Sequence, residues 1–202
     1  MGLAKRIAEH TEPSIEDTVL LLPNATWADY QRHLEMRGEK SAPRISFLEG
    51  TIEIVSPSRT HEEIKSLIGC LVEVWCLEKN IEFRALGSWT LENKDERRGV
   101  EPDECYVFGD KPQTSRPDLA IEVVWTSGGL NKLEIYRKLG GQEVWFWQRG
   151  IISIHVLHDD TYQEVKASLN LVGIDVTQLA SFLDRPSTSQ AMRDYRAHLQ
   201  AG

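Results

Sequence analysis

The stretch from residue 118 to residue 147 most constrains the fold, because it reads as a strand, a helix and a second strand in that order. "DLAIEVVW" and "EVWFW" are apolar runs of strand length, and "EVWFW" has the composition of a strand covered on both faces. Between them, "GGLNKLEIYRKLGG" has apolar residues at helical spacing and closes with Gly140 and Gly141. A helix that connects two strands in this way places them parallel in one sheet. The sequence therefore predicts an α/β fold.

A β-hairpin precedes this unit. "DECYVFG" and "DLAIEVVW" are strand-like and are separated by "DKPQTSR", which is rich in turn-forming residues. If the hairpin is symmetric about the bond between Pro112 and Gln113, Asp103 stands opposite Glu122. Side chains that face each other in this way have Cβ atoms about 4.5 to 5.5 Å apart, so two carboxylates there repel each other.

This pair of acids has two interpretations. Buried carboxylates at such a separation share a proton or coordinate a cation, and two hard oxygen donors on a rigid sheet suit Mg²⁺ or Mn²⁺. Alternatively, one or both acids lie on an exposed strand face, where they cost nothing. The apolar neighbours of Glu122 favour the metal site. Asp118 lies about 13 Å from Glu122 along the strand and is too distant to share an ion.

The remaining elements complete a mixed sheet with flanking helices. Thr26 can cap a helix that ends near Arg37, "RISFLEGTIEIVSPS" reads as a hairpin, and "THEEIKSLIGCLVEVWCLEKN" is the clearest helix. His61 lies on the apolar stripe of that long helix, where it is a core histidine or a site residue. A strand follows that is bent or interrupted at Gly87. Further along, "GIISIHVLHDDTYQEV" reads as one more hairpin, and two helices follow it at the end of the chain.

Composition sets the broad class of the protein. The chain has 202 residues, 41% of them hydrophobic and 27% charged, which is typical of one globular domain. We expect a flexible arm over residues 1–18, the main domain over residues 19–183 and a C-terminal helical extension over residues 184–202. Three cysteines without a close pair predict reduced thiols. No signal peptide or membrane-spanning run is visible, so we expect a cytoplasmic protein without a membrane partner.

Several motifs together resemble the PD-(D/E)XK nuclease superfamily, and most of all its Uma family of bacterial putative restriction endonucleases. They are "FLEGTIEIVSPSRTHEEI", "EPDECYVF", "RPDLAIEVVW" and "NKLEIYRKLGGQEVWFW". The resemblance implies a restriction-endonuclease-like core that uses Mg²⁺ or Mn²⁺ to hydrolyse DNA. It implies that Asp103 and Glu122 hold the metal. Val124 stands where the superfamily pattern has a lysine, and Lys132 matches a lysine that the Uma family carries on the following helix. The family also has a histidine at the place of His61.

Three functions remain open from the sequence. The first is a metal-dependent endonuclease acting on DNA, with Asp103, Glu122, Lys132 and His61 as its catalytic residues. The second is a catalytically inactive nuclease fold that serves as a binding or assembly module. The divergent "WTSGG" and the net charge of -8 favour this function. The third is a metal-carboxylate hydrolase of a small phosphorylated or acyl substrate. For the first, Arg98 and Arg116 flank the two hairpin strands as candidate phosphate contacts, and we expect a homodimer.

Overall fold

The computed structural model describes residues 16–125 and 129–201, and it has helices packed on two β-sheets. The helices are α1 (Trp27–Arg37), α2 (Arg59–Glu78), α3 (Lys132–Leu139), α4 (Val176–Ala180) and α5 (Thr188–Ala201). The strands are β1 (Thr18–Pro23), β2 (Arg44–Leu48), β3 (Thr51–Ser56), β4 (Phe83–Ala85), β5 (Leu91–Asn93), β6 (Arg98–Val100), β7 (Glu104–Phe108), β8 (Leu119–Val123), β9 (Glu143–Gln148), β10 (Ile151–His158) and β11 (Thr161–Val165).

The larger sheet contains the predicted strand–helix–strand unit. Its six strands have the order β11-β10-β9-β8-β7-β4. Strands β8 and β9 are parallel, and every other neighbouring pair is antiparallel. The predicted α/β class, the parallel pair and the antiparallel β7–β8 hairpin are therefore confirmed. Helix α3 is capped at its C-terminus by Gly140, which has a positive φ of 71° in the left-handed region that favours glycine.

A second sheet of five strands, in the order β1-β3-β2-β6-β5, was not anticipated. The sequence indicated one bent strand around Gly87, whereas the chain changes sheets there: β4 belongs to the larger sheet and β5 to the smaller one. Gly87 has a φ of 61°, which permits this change of direction. The chain returns between β6 and β7, over residues 101–103. Asp103 consequently lies where the chain passes from one sheet to the other.

The two faces of the small sheet have different roles, because side chains alternate along each strand. Ile45, Phe47 and Ile52 pack with Tyr30 of α1 in one core. The opposite face carries Arg44, Ser46 and Glu53, all of which are buried. That polar face covers the end of the larger sheet, and it forms one wall of the site described below.

The longest helix is central to the main core. Helix α2 contributes Ile68, Leu71 and Trp75, which pack with residues of β7 to β10. Helix α5 adds Ala191 and Tyr195 to the same core, so the C-terminal helix belongs to the packed body. No helix in the described ranges is long and apolar enough to cross a bilayer. Most of the expected N-terminal arm, residues 1–15, and Thr126–Gly128 of the divergent "WTSGG" lie outside the described residues.

Candidate active site

The β7–β8 hairpin has the register that its sequence predicts. Glu104 pairs with Ile121, and the backbone N–H of Asp103 donates a hydrogen bond of 3.1 Å to the carbonyl oxygen of Ile121. The next position along β8 is Glu122, so the two carboxylates stand opposite each other. Asp103 is 3% exposed and Glu122 is 5% exposed. The alternative of acids on a solvent-facing strand is therefore excluded, and both charges need partners in the protein.

Asp103 is contacted by two cationic side chains and one backbone donor, which come from three segments. Its Oδ1 lies 3.0 Å from Nη1 of Arg44 and 2.9 Å from Nε2 of His61, and its Oδ2 accepts a hydrogen bond of 2.6 Å from the N–H of Val123. Burial by itself would raise the pKa of Asp103, but the bond from His61 and the charge of Arg44 hold it below its usual range. Asp103 is therefore a fixed anion.

His61 connects Asp103 to a second buried acid. Ser58 caps helix α2 by accepting a hydrogen bond from the N–H of His61, which places the imidazole in the first turn. Its Nδ1 lies 2.7 Å from Oδ2 of Asp17, whose Oδ1 accepts a bond from the N–H of Ser58. Burial opposes the charge, but hydrogen bonds to Asp103 and Asp17 raise the pKa of His61 to about 9. His61 is thus an imidazolium at neutral pH.

Glu122 is less fully neutralised than Asp103. The hydroxyl of Tyr136, on α3, donates a hydrogen bond of 2.5 Å to its Oε1. Burial and the nearby Asp103 charge raise the pKa of Glu122 to about 7, although Lys132 and Tyr136 act in the opposite direction. This carboxyl therefore keeps its proton to a higher pH than an ordinary glutamic acid does. A further positive charge beside it would favour the ionised form.

Lys132 reaches the site from the first residue of α3. Its Nζ donates a hydrogen bond of 2.7 Å to Oγ of Ser46 and lies 3.1 Å from Oε1 of Glu53. Burial lowers the pKa of Lys132, but the charges of Glu122 and Glu53 outweigh it and leave the pKa raised. The lysine side chain is 15% exposed, and its ammonium lies beside acids instead of extending into solvent.

These residues line one cavity of about 350 Å³ between the polar face of the small sheet and the end of β8. Its charged or ionisable lining consists of Asp17, Arg44, Glu53, His61, Glu101, Asp103, Glu122 and Lys132. Glu101 is already saturated, because its carboxylate accepts bonds from Arg37, from Thr90 and from the N–H of Ile45. The cavity thus unites all four residues that were expected to be catalytic.

The two expected phosphate contacts lie elsewhere. Arg98 faces Glu49 at 3.2 Å in a separate depression beside α1, and Arg116 lines another one near Tyr136 and Gly141. Neither is among the residues that line the cavity. Their contact with phosphate stays a prediction.

Sequence reasoning missed Arg44, Ser46, Glu53 and Asp17. The first three had a recognisable signal, because "RIS" and "TIEIV" alternate polar and apolar residues on the two strands of one hairpin. Two polar faces of paired strands fall on the same side of a sheet, and Ser46 and Glu53 are direct partners in the β2–β3 register. Asp17 had no such signal, since it belongs to a polar segment without periodicity.

The residues Asp103 and Glu122 can hold a hard divalent cation. The described part of the chain contains no group of three or more His, Cys, Asp or Glu residues arranged as metal ligands. Mg²⁺ is commonly bound by only one or two carboxylates, with water and substrate phosphates completing its shell. Two facing carboxylates, one of them with a raised pKa, suit this kind of site. The cations of Arg44 and His61 compete for Asp103, which makes a weak site more consistent with the geometry than a tight one.

Comparison with known proteins gives a family. Residues 27–183 match Uma2, a family described as "Putative restriction endonuclease". A crystal structure of a putative nuclease belonging to DUF820 from Anabaena variabilis is 16% identical, and its alignment covers 82% of this chain and 96% of that one with a TM-score of 0.48. No curated protein matches the sequence. The family match spans most of the chain and every candidate catalytic residue, and the chain therefore belongs to the Uma2 family.

Proposed function

We propose that the protein is a metal-dependent endonuclease that hydrolyses phosphodiester bonds in DNA. One observation carries the proposal: Asp103, Glu122 and Lys132, from three separate segments, line the same cavity. Two facing carboxylates that would hold a metal ion, with an ammonium nearby, suit metal-assisted hydrolysis of a phosphodiester. Membership of a family described as "Putative restriction endonuclease" supports the same reaction class.

Each side chain has a role in this proposal. Asp103 and Glu122 would hold Mg²⁺ or Mn²⁺, which when bound polarises the phosphate and lowers the pKa of a water ligand. Arg44 and His61 keep Asp103 ionised and aimed into the cavity. Tyr136 orients Glu122 through its hydroxyl. Lys132 supplies a fixed positive charge for the phosphate as negative charge develops on it.

The direct test is conversion of supercoiled plasmid to the nicked form, with Mg²⁺, with Mn²⁺ and with a chelator. We expect nicking with either metal and none with the chelator. Glu63→Gln, which alters an exposed acid paired with Arg59, serves as an active control purified in the same way. Absence of cleavage on plasmid, linear duplex and single-stranded DNA would contradict the proposal.

An inactive binding module is the second candidate, and one observation favours it. All three cations that line the cavity, Arg44, His61 and Lys132, are already paired with carboxylates. With a net charge of -8, the protein has little electrostatic attraction for a DNA backbone. The expected homodimer also stays a prediction, and it would supply a larger surface for duplex DNA.

Metal affinity should depend on pH in a defined direction. The pKa of Glu122 in the metal-free protein is raised to about 7, so a metal must displace a proton from it in acid solution. We expect the apparent Mn²⁺ affinity to fall by about tenfold for each pH unit below 7 and to level off above it. Calorimetric titration in buffers of different ionisation enthalpy would report the released proton. An affinity that is constant between pH 6 and pH 8 would contradict the assignment of Glu122 as a ligand.

A further inference from the structure

We infer that Glu53 is a positioning residue for Lys132. Glu53 and Ser46 together form a socket that holds the lysine ammonium. This inference rests on the proposed function. Glu53 and Ser46 face each other on neighbouring strands of the small sheet. Lys132 belongs to the other side of the cavity, 86 residues from Ser46 in sequence. The contact therefore joins two parts of the fold that no local structure holds together.

The socket binds the segment that carries Lys132 as well as its amine. Oε2 of Glu53 accepts a hydrogen bond of 2.8 Å from the backbone N–H of Leu130. Oε1 of the same carboxylate lies 3.1 Å from Nζ of Lys132. Glu53 is 2% exposed and Ser46 is 1% exposed, so neither contact is screened by water. One carboxylate thus fixes both the start of α3 and the charge at the end of its first side chain.

The geometry leaves one donor of Lys132 for a substrate. An ammonium group has three N–H donors. Ser46 takes one and the carboxylate of Glu53 lies within reach of a second. The third can face the cavity that Lys132 lines with Asp103 and Glu122. A lysine stem has several rotatable bonds, and conformational freedom of the side chain would weaken its stabilisation of the reacting phosphate. Two anchors on a rigid sheet remove most of that freedom.

The alternative role for Glu53 is a third metal ligand, since it is also a carboxylate in the cavity wall. The contacts favour positioning, because both of its oxygens already face donors of the 129–132 segment. The two roles predict different results for Glu53→Gln. That variant keeps an oxygen for the N–H of Leu130 and removes the charge beside Lys132. A positioning role leaves metal affinity intact, whereas a ligand role does not.

The experiment combines one measurement that is independent of activity with one that is not. Acetylation of lysines by a limiting amount of an amine-reactive reagent, followed by mass spectrometry, reports how accessible and how basic each amine is. We expect Glu53→Gln to increase modification of Lys132 several-fold. Modification of Lys138, which lies on the same helix as Lys132 and is paired with Glu96, should not change. Ser46→Ala should give a smaller increase. Glu63→Gln, which also removes one negative charge, should give none.

Nicking assays complete the test. Glu53→Gln should lower the nicking rate at least tenfold and leave the Mn²⁺ affinity unchanged. In a protein that already carries Lys132→Ala, Glu53→Gln should cause no further loss of nicking rate, as expected for residues that act as one unit. Unchanged modification of Lys132 in both Glu53→Gln and Ser46→Ala would overturn the inference, and so would loss of Mn²⁺ binding. If the parent protein cleaves no DNA, the proposed function fails, and the modification data still decide whether Glu53 holds Lys132.

Discussion

Glu122→Gln is expected to abolish metal binding and nicking while leaving the protein at least as stable as the parent at pH 8. Glutamine has the shape of a protonated glutamic acid, and its amide oxygen can still accept the hydrogen bond from Tyr136. It cannot supply the anionic oxygen that a hard divalent cation requires. Calorimetry with Mn²⁺, plasmid nicking and thermal melting would be measured on the same preparations.

The stability part of this prediction follows from the pKa of Glu122. The ordinary value of 4.5 applies to the unfolded chain, and the folded value is about 7. A raised carboxyl pKa means that the folded state binds the proton more tightly, so stability falls as pH rises from about 4.5 to about 7. Above that range the ionised, buried side chain costs up to about 3 kcal/mol. Glutamine has no charge to bury, so the variant should lose this pH dependence.

Glu104→Gln is the matched control. Glu104 lies next to Asp103 in sequence, but the alternation of the strand turns it to the other face, beside Gly69 of α2 and outside the cavity. Its pKa is also raised by burial. We expect normal Mn²⁺ binding and normal nicking from Glu104→Gln. If the Glu122→Gln protein binds Mn²⁺ as tightly as the parent does, Glu122 is not a metal ligand.

Lys132→Ala is expected to reduce nicking by about 10² to 10³-fold, the typical loss when one group that stabilises developing charge is removed. Mn²⁺ affinity should change little, because the lysine is not a ligand. Initial rates at saturating metal, together with calorimetry, separate the two effects. A Lys132→Ala protein that nicks at the parent rate would show that the helix-borne lysine takes no part in the reaction.

The same variant should also be less stable, which the sequence alone would not suggest. In the structure Lys132 is the cation beside Glu53, a carboxylate that is 2% exposed. Removing one partner of a buried ion pair costs about 3 to 5 kcal/mol, because the other charge is left without compensation. Lys138→Ala on the same helix is the control. Lys138 lies 3.6 Å from Glu96 on the surface, so its removal should cost less than about 1 kcal/mol and leave nicking unchanged.

Local patterns in the sequence determined the central unit of this protein. The turn-rich connection and the apolar runs on each side specify the β7–β8 register, and a slip of one residue would move every side chain of the slipped strand to the opposite face of the sheet. That register places Asp103 opposite Glu122. Helical spacing and the terminal glycines likewise specify α3, so the position of Lys132 at its first turn follows from sequence.

The tertiary structure decided what surrounds those three residues. The sequence showed that "RISFLEGTIEIV" is a hairpin, but hydrophobic alternation does not say what its polar face covers. Only the change of sheets at Gly87 and the return over residues 101–103 bring that face to the end of β8. The partners thus created are distant in the chain: Ser46 and Lys132 are 86 residues apart, and Asp17 and His61 are 44 apart. A contact of this kind depends on the packing of whole sheets, for which a short stretch of sequence carries no periodic signal.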